Sequence, residues 1–493
     1  MIQYYKKTVP VPWVILGALA FLSSCTFQTY SPKPLDPAQA AARLQARDPS
    51  APAFQQYLLS NGYTQEQLPI RQWGLPELTL SAFFFHPQLD VARAQWRAMQ
   101  AAEITAAKRP NPGISGLVER HSEHDGISPW LFGLSLDIPL QNTDKRQASI
   151  DRAAYLSEAA RIEIGQAAWQ MRRKLSESWI SYHEAQQQVK VLQDELELRQ
   201  QINDMLQNRL DAGMLSSVEM GSATLLLQRA QQQLLAAQGQ IPELRVALAN
   251  NAGLSLQAFR QLPLTSDLDN PAEPDSSSSG IPLLETSEIE GLQETALLNR
   301  LDIRAALARY AAAEAKVRRE IANQYPDIVL SPGYSYDQGD RIWSLGFSTL
   351  LALLDKNEGP IAEARSLREA EAAQFQALQA GIIAELEQAK AAYLAAVEEW
   401  EKARQFLETQ QNHTHQLEQQ FEAGHSDRLE LTTVRLSASL ARQGLVSAEF
   451  KVRRAINRLE NLAQRPLRNP IDVPDNIDQS LPADELPGAA NES

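Results

Sequence analysis

Histidine is the residue type in this sequence whose spacing could hold a metal ion. His121 and His124 are three positions apart, and His413 and His415 are two apart. A transition-metal site needs three or four ligands, often completed by cysteine or carboxylate side chains. The first pair falls in a predicted loop between strands, the second points to different faces of a predicted helix, and no acidic or cysteine cluster accompanies either. The sequence therefore predicts no metal site and no cofactor.

The motifs of common enzymes are also missing from the sequence. It has no glycine-rich phosphate loop, no nucleophile elbow and no zinc-protease motif. The formal net charge is -14, with 46 basic side chains spread among 60 acidic ones, whereas a nucleic-acid partner requires a clustered basic face. We therefore predict that the chain is not an enzyme and does not bind nucleic acid.

Cys25 is the single cysteine of the chain, and it follows a short apolar stretch. The apolar stretch, residues 11–22, is too short to span a membrane. Two lysines precede it, and residues 22–25 read Leu-Ser-Ser-Cys. The arrangement is typical of a secretory signal and resembles a bacterial lipobox, which implies removal of residues 1–24 and acylation of Cys25. Thr26, where aspartate would signal retention, favours the outer membrane by the same resemblance. The alternative is an ordinary secretory signal with an incidental cysteine.

Polar, proline-containing segments divide the rest of the chain. The proline-rich residues 30–37 are interpreted as part of an extended tether between the lipid and the folded body. The predicted segments are a lipid anchor with its tether, a first repeat, a linker, a second repeat and a polar tail, at residues 25–74, 75–265, 266–284, 285–465 and 466–493.

The two repeats are identified from motifs that recur in the same order. Four separated matches keep an offset of 211 to 214 residues. The matching positions are Leu89-Asp90-Val91 with Leu301-Asp302-Ile303, Asn111-Pro112 with Tyr325-Pro326, Trp130 with Trp343, and Asp211-Ala212-Gly213 with Glu422-Ala423-Gly424. A near-constant offset over four matches predicts a tandem structural duplication.

Each repeat contains a long stretch without proline, at residues 142–212 and 361–423, whose composition favours helix. An Ala-Gly pair ends each stretch with a predicted left-handed cap, and residues 216–250 and 426–463 then read as return helices. Each repeat is therefore predicted to be a long antiparallel hairpin. In the first long helix a coiled-coil seam with alternating spacings of four and three comprises Ile164, Ala168, Met171, Leu175, Ser178, Tyr182, Ala185, Val189, Leu192 and Leu196.

Between the helices lie four short segments with the period of a β-strand. Residues 130–139 carry aromatic and aliphatic side chains at every second position, and residues 328–336 and 343–351 repeat this pattern, whereas residues 113–121 alternate poorly. Strands of about ten residues with one apolar face match the lipid-facing wall of a membrane β-barrel. A buried sheet of a soluble protein is the alternative.

Four strands cannot close a barrel, since about eight are needed even for a small filled one. Open strand edges are not tolerated in hydrocarbon. Several copies of the chain must therefore share one barrel, with their long helices side by side next to it. The spacing alone leaves the number of copies open.

The duplicated plan of helix, strand, strand and helix carries a proline before each first strand, at Pro112 and Pro326, and an acidic residue after each tip, at Glu219 and Glu430. By this plan the chain resembles the TolC-like outer-membrane efflux protein family over roughly residues 78–462. The resemblance implies a mainly α-helical fold with a membrane β-barrel, in which a homotrimer shares one barrel of four strands per subunit and its duplicated long hairpins form a periplasmic tunnel. It also implies a periplasmic adaptor and an inner-membrane pump as partners, contact with outer-membrane lipid, and a location in the cell outer membrane.

The same resemblance marks candidate site residues at the two tips. Segments 213–218 and 424–429 become candidates for contact with the adaptor. The residues at their turns are Ala212, Gly213, Ala423 and Gly424.

Carboxylates near the second tip ring the closed end of the tunnel in some family members. One such position carries over to Glu430, while the next falls on Thr433 in this chain. Asp427 and Glu219 are further candidates for this periplasmic aperture, because carboxylates at a constriction attract cations and repel one another. The alternative for Glu430 is an ordinary solvated carboxylate near a helix start.

The first functional hypothesis is a passive exit duct of a tripartite efflux system that exports small molecules, either drugs or metal ions. One alternative is the outer-membrane duct of type I protein secretion. Another is a non-conducting lipoprotein that serves as an envelope scaffold. The sequence does not name the cargo.

Overall fold

The computed structural model describes residues 29–123, 128–265, 281, 283–351, 353–467, 473 and 477. The predicted signal segment, Cys25 and His124 lie outside these residues, as does most of the linker and of the tail. The chain divides into two units, residues 1–44 and 45–493. In the first unit an irregular segment leads to helix α1, Pro37–Gln45, of which all but the last residue belong to this unit. The Asp36 carboxylate caps the start of α1 by accepting from the backbone N–H of Ala38 at 2.9 Å.

The prediction of a tether over residues 25–74 is wrong for the second half of this range. Helix α2, Pro52–Ser60, buries Phe54 and Leu58 completely in a hydrophobic core. The Phe54 ring centroid lies 5.3 Å from that of Phe84 in the following helix. The prolines of this region suggest an extended chain, but Pro52 occupies the first turn of α2, where its missing N–H costs nothing.

Both repeats contain two helices, two strands, a long helix and a return helix in this order, which confirms the predicted plan; the short last helix of the first repeat has no counterpart among the described elements of the second. After α2 the first repeat consists of α3 (Leu75–Phe85), α4 (Pro87–Ala107), β1 (Gly113–Arg120), β2 (Trp130–Leu140), α5 (Thr143–Asp211), α6 (Ser217–Asn251) and α7 (Leu256–Arg260). The second repeat consists of α8 (Thr286–Asn299), α9 (Leu301–Ala322), β3 (Ile328–Asp337), β4 (Asp340–Thr349), α10 (Glu358–Glu422) and α11 (Arg428–Ala463).

The helices α5 and α10 are the long arms of the two hairpins, with 69 and 65 residues. At 1.5 Å per residue each extends on the order of 100 Å. Helix α10 begins three residues before its predicted start, because Pro360 is accommodated in the first helical turn. Asn142 caps α5 by accepting from the backbone N–H of Asp144 at 2.8 Å.

Each repeat has its own hydrophobic core. Leu78 and Leu89 are buried in the first core, and Leu292 and Ile303 are buried in the second. The two cores do not use the same positions throughout, because Leu301, the counterpart of Leu89 in the matching motif, is only half-buried.

Helix α5 packs against its neighbours through two faces, whereas the predicted seam accounts for one. Eight of the ten seam residues are buried, while Ser178 and Leu196 are half-buried. A second face, which includes Arg172, Trp179 and His183, is buried as well. It is covered because α5 contacts α9 and α11 of the second repeat in addition to its hairpin partner α6.

The four strands form one antiparallel sheet in the order β1-β2-β3-β4. Phe132 pairs with Tyr336, and Tyr334 pairs with Trp343, so the apolar positions of neighbouring strands lie on the same face. The predicted strands are confirmed, including the poorly alternating first one. Strand β4 ends at Thr349, two residues before its predicted end.

The predicted linker and tail each contribute to a core. Leu284, within the predicted linker, is buried in the second core, and its backbone N–H donates to Tyr393 Oη at 2.8 Å. Ile477, within the predicted tail, is buried in the first core, and its carbonyl accepts from Arg93 Nε at 3.1 Å. The sequence assigns neither segment to a core, because isolated apolar residues in a polar stretch have no local signal of burial.

No helix of the described ranges combines the length and the apolar character that a membrane span requires.

Candidate functional site

The first hairpin turns with a Schellman motif at the end of α5. Gly213 has φ +72°, its N–H donates to the Leu210 carbonyl at 2.9 Å, and the Met214 N–H donates to the Arg209 carbonyl at 2.8 Å. The positive φ favours glycine because a β-carbon would clash there. The predicted left-handed cap is thus confirmed.

Helix α6 begins after this turn with a capping box. The Glu219 carboxylate accepts from the Ser216 N–H at 3.1 Å and from the Ser216 hydroxyl at 2.8 Å. These donors hold the pKa of Glu219 below its ordinary value. Glu219, predicted as an aperture residue, therefore has a local role at the helix start, and its part in an aperture stays a prediction.

The second hairpin repeats the same turn at the end of α10. Gly424 has φ +77°, its N–H donates to the Phe421 carbonyl at 3.0 Å, and the His425 N–H donates to the Gln420 carbonyl at 2.8 Å. Ala212, Gly213, Ala423 and Gly424 are all exposed at the turns. This exposure leaves them accessible to a partner, and their role in adaptor contact stays a prediction.

Asp427 connects the two tips. Its Oδ1 accepts from the Glu430 N–H at 2.8 Å and so caps α11, while its Oδ2 lies 2.6 Å from Nη2 of Arg209 in the last turn of α5. The Glu430 N–H and the Arg209 guanidinium together hold the pKa of Asp427 below its ordinary value. The carboxylate proposed from sequence for an aperture is therefore paired with a cation of the other hairpin.

Arg209 is a site residue that the sequence does not mark. Its signal is weak, since basic residues are common in the last turn of a helix, where they interact with the helix dipole. The corresponding position of the second repeat is Gln420, so the duplication does not mark it either. The contact with Asp427 depends on how the two hairpins pack.

Glu430 lies on the first turn of α11 with its side chain exposed. Within the described ranges its carboxylate has no ion pair and no hydrogen bond. The hydroxyl of Thr433 donates to the Leu429 carbonyl at 2.7 Å, which occupies it locally. Among the described residues Asp427 is therefore the aperture candidate with an ion pair, whereas neither Glu219 nor Glu430 has one.

The sheet presents two chemically different faces. Its apolar face, with Trp343, Leu345 and Phe347 on β4, is exposed in the single chain. On the opposite face the Asp137 carboxylate accepts from the hydroxyls of Ser115 and Ser331 on the two neighbouring strands. A wall that is apolar on one side and polar on the other suits lipid on one side and water on the other.

The histidine pairs do not form a metal site in the parts of the chain that the structure describes, where no group of three His, Cys, Asp or Glu side chains could hold an ion. His121 Nε2 lies 3.0 Å from Oδ1 of Asp337 on β3. His413 and His415 are both exposed on α10. The described histidines are therefore not brought together with the two further ligands that a metal site would need.

The duplicated hairpins, the shared four-stranded sheet and the paired tips define a class of protein. Residues 85–254 and 292–463 match the outer membrane efflux protein family. These two ranges cover more than half of the chain, and the chain belongs to that family. The resemblance seen in the sequence is confirmed.

Membership in the family places the protein in the outer membrane, with its helical body in the periplasm. Members of the family are channels and not enzymes. The absence of catalytic motifs in the sequence agrees with this class.

A curated relative and two solved structures are similar to this chain. The cobalt-zinc-cadmium resistance protein CzcC of Cupriavidus metallidurans is 25% identical over 288 residues, which cover 58% of this chain and 64% of CzcC. The match thus spans less than two thirds of that relative. The outer-membrane channel OprN superposes with a TM-score of 0.62 at 19% identity, covering 89% of this chain and 98% of OprN. The outer membrane protein VceC from Vibrio cholerae superposes with a TM-score of 0.62 at 19% identity, covering 79% of this chain and 95% of VceC. The two structures show the fold.

Proposed function

We propose that the protein is the outer-membrane exit duct of an efflux system, a passive channel for small solutes that reach it from the periplasmic side. One observation carries the proposal: an amphipathic sheet with two open edges continues into two long hairpins whose tips are joined by Arg209 and Asp427. An enclosed path through the sheet and between the helices requires more than one copy of this chain.

The functional unit is a homotrimer. Strands β1 and β4 are the edges of the described sheet, and each has a partner on one side alone. Unpaired edge groups cost several kcal/mol each in hydrocarbon, so β4 of one copy pairs with β1 of the next. Three copies is the number that the family resemblance implies.

The tips are where a periplasmic adaptor acts. Segments 213–218 and 424–429 are largely exposed and end both hairpins of a subunit. An adaptor that binds there and separates Arg209 from Asp427 releases one hairpin from the other, which widens the end of the tunnel. An inner-membrane pump supplies the energy.

A lipid anchor holds the amino terminus to the membrane. Cys25 carries it, and the residue lies outside the described ranges. Two or three acyl chains at about 0.8 kcal/mol per buried methylene make such an anchor stable, where one chain would be marginal.

Divalent metal cations are the first cargo to test. The relative CzcC is named for cobalt, zinc and cadmium resistance, and this chain has a net charge of -14. Glu430 adds a carboxylate near the tip that has no ion pair among the described residues. Drug efflux, protein secretion and a non-conducting scaffold are the other outcomes of the tests.

The duct is tested by single-channel recording of the purified, lipidated protein in planar bilayers. Wild type is expected to give small, mostly closed currents that prefer cations, and Glu430→Ala to lower that preference. Thr433→Ala, one turn further on the same exposed face, is the matched control and should leave selectivity unchanged. If the protein inserts into the bilayer but neither wild type nor the Arg209→Ala variant conducts, the result contradicts a duct and favours the scaffold.

The cargo is tested in cells from which the gene has been deleted. Complementation is expected to restore tolerance to zinc, cobalt or cadmium, measured as growth and as retained metal. Restored tolerance to organic drugs with unchanged metal retention would exclude metal export and retain the duct.

A further inference from the structure

Four leucines between β4 and α10 are exposed to an unusual degree. The exposed fractions are 88% for Leu350, 69% for Leu351, 77% for Leu353 and 103% for Leu354. A cluster of large apolar side chains with this exposure marks a contact surface in soluble and membrane proteins alike. The function proposed for the hairpin tips does not involve this leucine cluster.

The topology places these leucines at the helical end of the sheet. Ile328, which begins β3, pairs with Leu140 at the end of β2 and with Thr349 at the end of β4. All strands therefore meet the helices at this one end, and Leu350 follows Thr349 directly. The leucines therefore lie beyond the last residue of β4, on the periplasmic side of the sheet.

The segment is specific to the second repeat. In the first repeat β2 runs to Leu140 and helix α5 starts at Thr143, whereas eight residues separate Thr349 from α10. Its far end is fixed to α9, since Asn357 Nδ2 donates to the Glu320 carbonyl at 2.7 Å. The exposed leucines thus lie between the end of β4 and an anchored helix start.

Basic side chains lie at the same end of the sheet as the leucines. Lys108 and Arg109 precede β1, and Lys356 precedes α10; all three are exposed. Within the described ranges their side chains have no ion pair and no hydrogen bond. Basic side chains next to apolar ones are typical of a membrane interface, where the charged groups reach lipid phosphates.

We propose that Leu350, Leu351, Leu353 and Leu354 form a collar that inserts into the phospholipid leaflet on the periplasmic side. Lys108, Arg109 and Lys356 then lie at the level of the headgroup phosphates. Each subunit contributes one such collar, which sets the depth of the barrel in the membrane. This proposal rests on the proposed function, because it requires the sheet to be inserted in the membrane.

The test uses spin labels on the full lipidated protein in phosphatidylethanolamine and phosphatidylglycerol bilayers. Labels are attached through Leu354→Cys, through Leu345→Cys on the apolar face of β4, and through Leu394→Cys on an exposed part of α10. Collisions with oxygen report hydrocarbon, and collisions with a water-soluble nickel complex report water. Wild type carried through the same labelling measures any reaction at Cys25.

The label at position 354 is expected to collide mainly with oxygen, as the label at position 345 does, and unlike that at position 394. Mainly nickel contact at 354, or little contact with either reagent, would overturn the collar, since the segment then lies in water or against another subunit. Nickel contact at 345 as well would instead remove the sheet from the membrane and contradict the proposed duct.

The basic residues are tested by a triple variant, Lys108→Gln with Arg109→Gln and Lys356→Gln. Wild type is expected to unfold at a higher temperature in bilayers with phosphatidylglycerol than in neutral ones, and the variant to lose this increase. An equal increase in both proteins would overturn the headgroup contact.

Discussion

Arg209 and Asp427 join the two hairpin tips through an Nη2–Oδ2 contact of 2.6 Å, although 218 positions separate them in the chain. Asp427 uses its other carboxylate oxygen to cap α11 at the Glu430 N–H. One side chain therefore both starts a helix and holds the neighbouring hairpin. These two roles can be separated by the choice of substitution.

Removal of the cation should favour the open tip. Arg209→Ala breaks the contact and leaves the cap of α11 intact. Exposed ion pairs contribute about 0.2–1 kcal/mol, so the open fraction should increase by up to about fivefold in single-channel recordings. Arg435→Ala removes a similarly exposed pair with Glu418 inside the second hairpin and should leave the open fraction unchanged; an equal effect of both variants would contradict a role specific to the tips.

The tip contact should also depend on pH. Because the pKa of Asp427 is lowered in the folded protein, the contact contributes fully at neutral pH and is lost as the pH falls through that lowered value. Open events of wild type should therefore increase only below the usual range of an aspartate. Asp427→Asn keeps a helix-capping side chain but removes the titrating group, so its open events should already be frequent at pH 7 and should not increase further in acid. A wild-type acid response in this variant would exclude Asp427 as its source.

The tip glycines should resist substitution for a conformational reason. Gly424 has φ +77° and open space where a β-carbon would lie, so Gly424→Ala costs about 1–2 kcal/mol through backbone strain alone. Gly381 inside α10 also has open space but no positive φ, and Gly381→Ala should stabilise by about 0.5–1 kcal/mol. Thermal unfolding followed by circular dichroism measures both, and shifts in the same direction would argue against the strain.

A buried ion pair should hold the two repeats together. Arg172 of α5 contacts the carboxylate of Glu460 of α11, and both side chains are buried. Glu460→Ala leaves a buried cation without this partner and should destabilise by about 3–5 kcal/mol.

Replacement of both residues, Arg172→Met with Glu460→Met, should recover most of that loss, because no charge then stays buried. Arg454→Ala, which removes the exposed pair with Glu184 between the same two helices, should cost at most about 1 kcal/mol. Chemical unfolding measures these differences in the free energy of unfolding. A double variant that is less stable than Glu460→Ala would contradict the prediction.

His183 should make the helical body sensitive to acid. It lies buried beside Trp179, and burial together with Arg453 and Lys190 lowers its pKa to about 4. The unfolded chain binds a proton near pH 6.5, so stability is complete above that pH and declines as the pH falls toward 4, by about 3 kcal/mol at most. His183→Leu should flatten the pH dependence of the unfolding temperature in this window, whereas His415→Leu at an exposed site should not; an unchanged slope in His183→Leu would exclude the residue as its source.

Local chemistry in the sequence was enough to predict the long hairpins, the four strands and the turns. Proline-free stretches rich in helix formers became α5 and α10, period-two patterning became the sheet, and Gly213 and Gly424 took the left-handed turns that their type allows. The constant offset predicted the duplication, since the same segment folded twice must repeat its own local signals. Membership in the family followed from these features together.

The tertiary structure alone decided which distant residues meet. The second buried face of α5, the placement of Phe54 and Ile477 in the first core, and the contacts of Arg209 and Arg172 with the other repeat all join positions far apart in the chain. Such contacts depend on the packing of whole helices, where a rotation by one residue turns a side chain through about 100°. No pattern within a single helix encodes that rotation, because it results from the surfaces of all the neighbours at once.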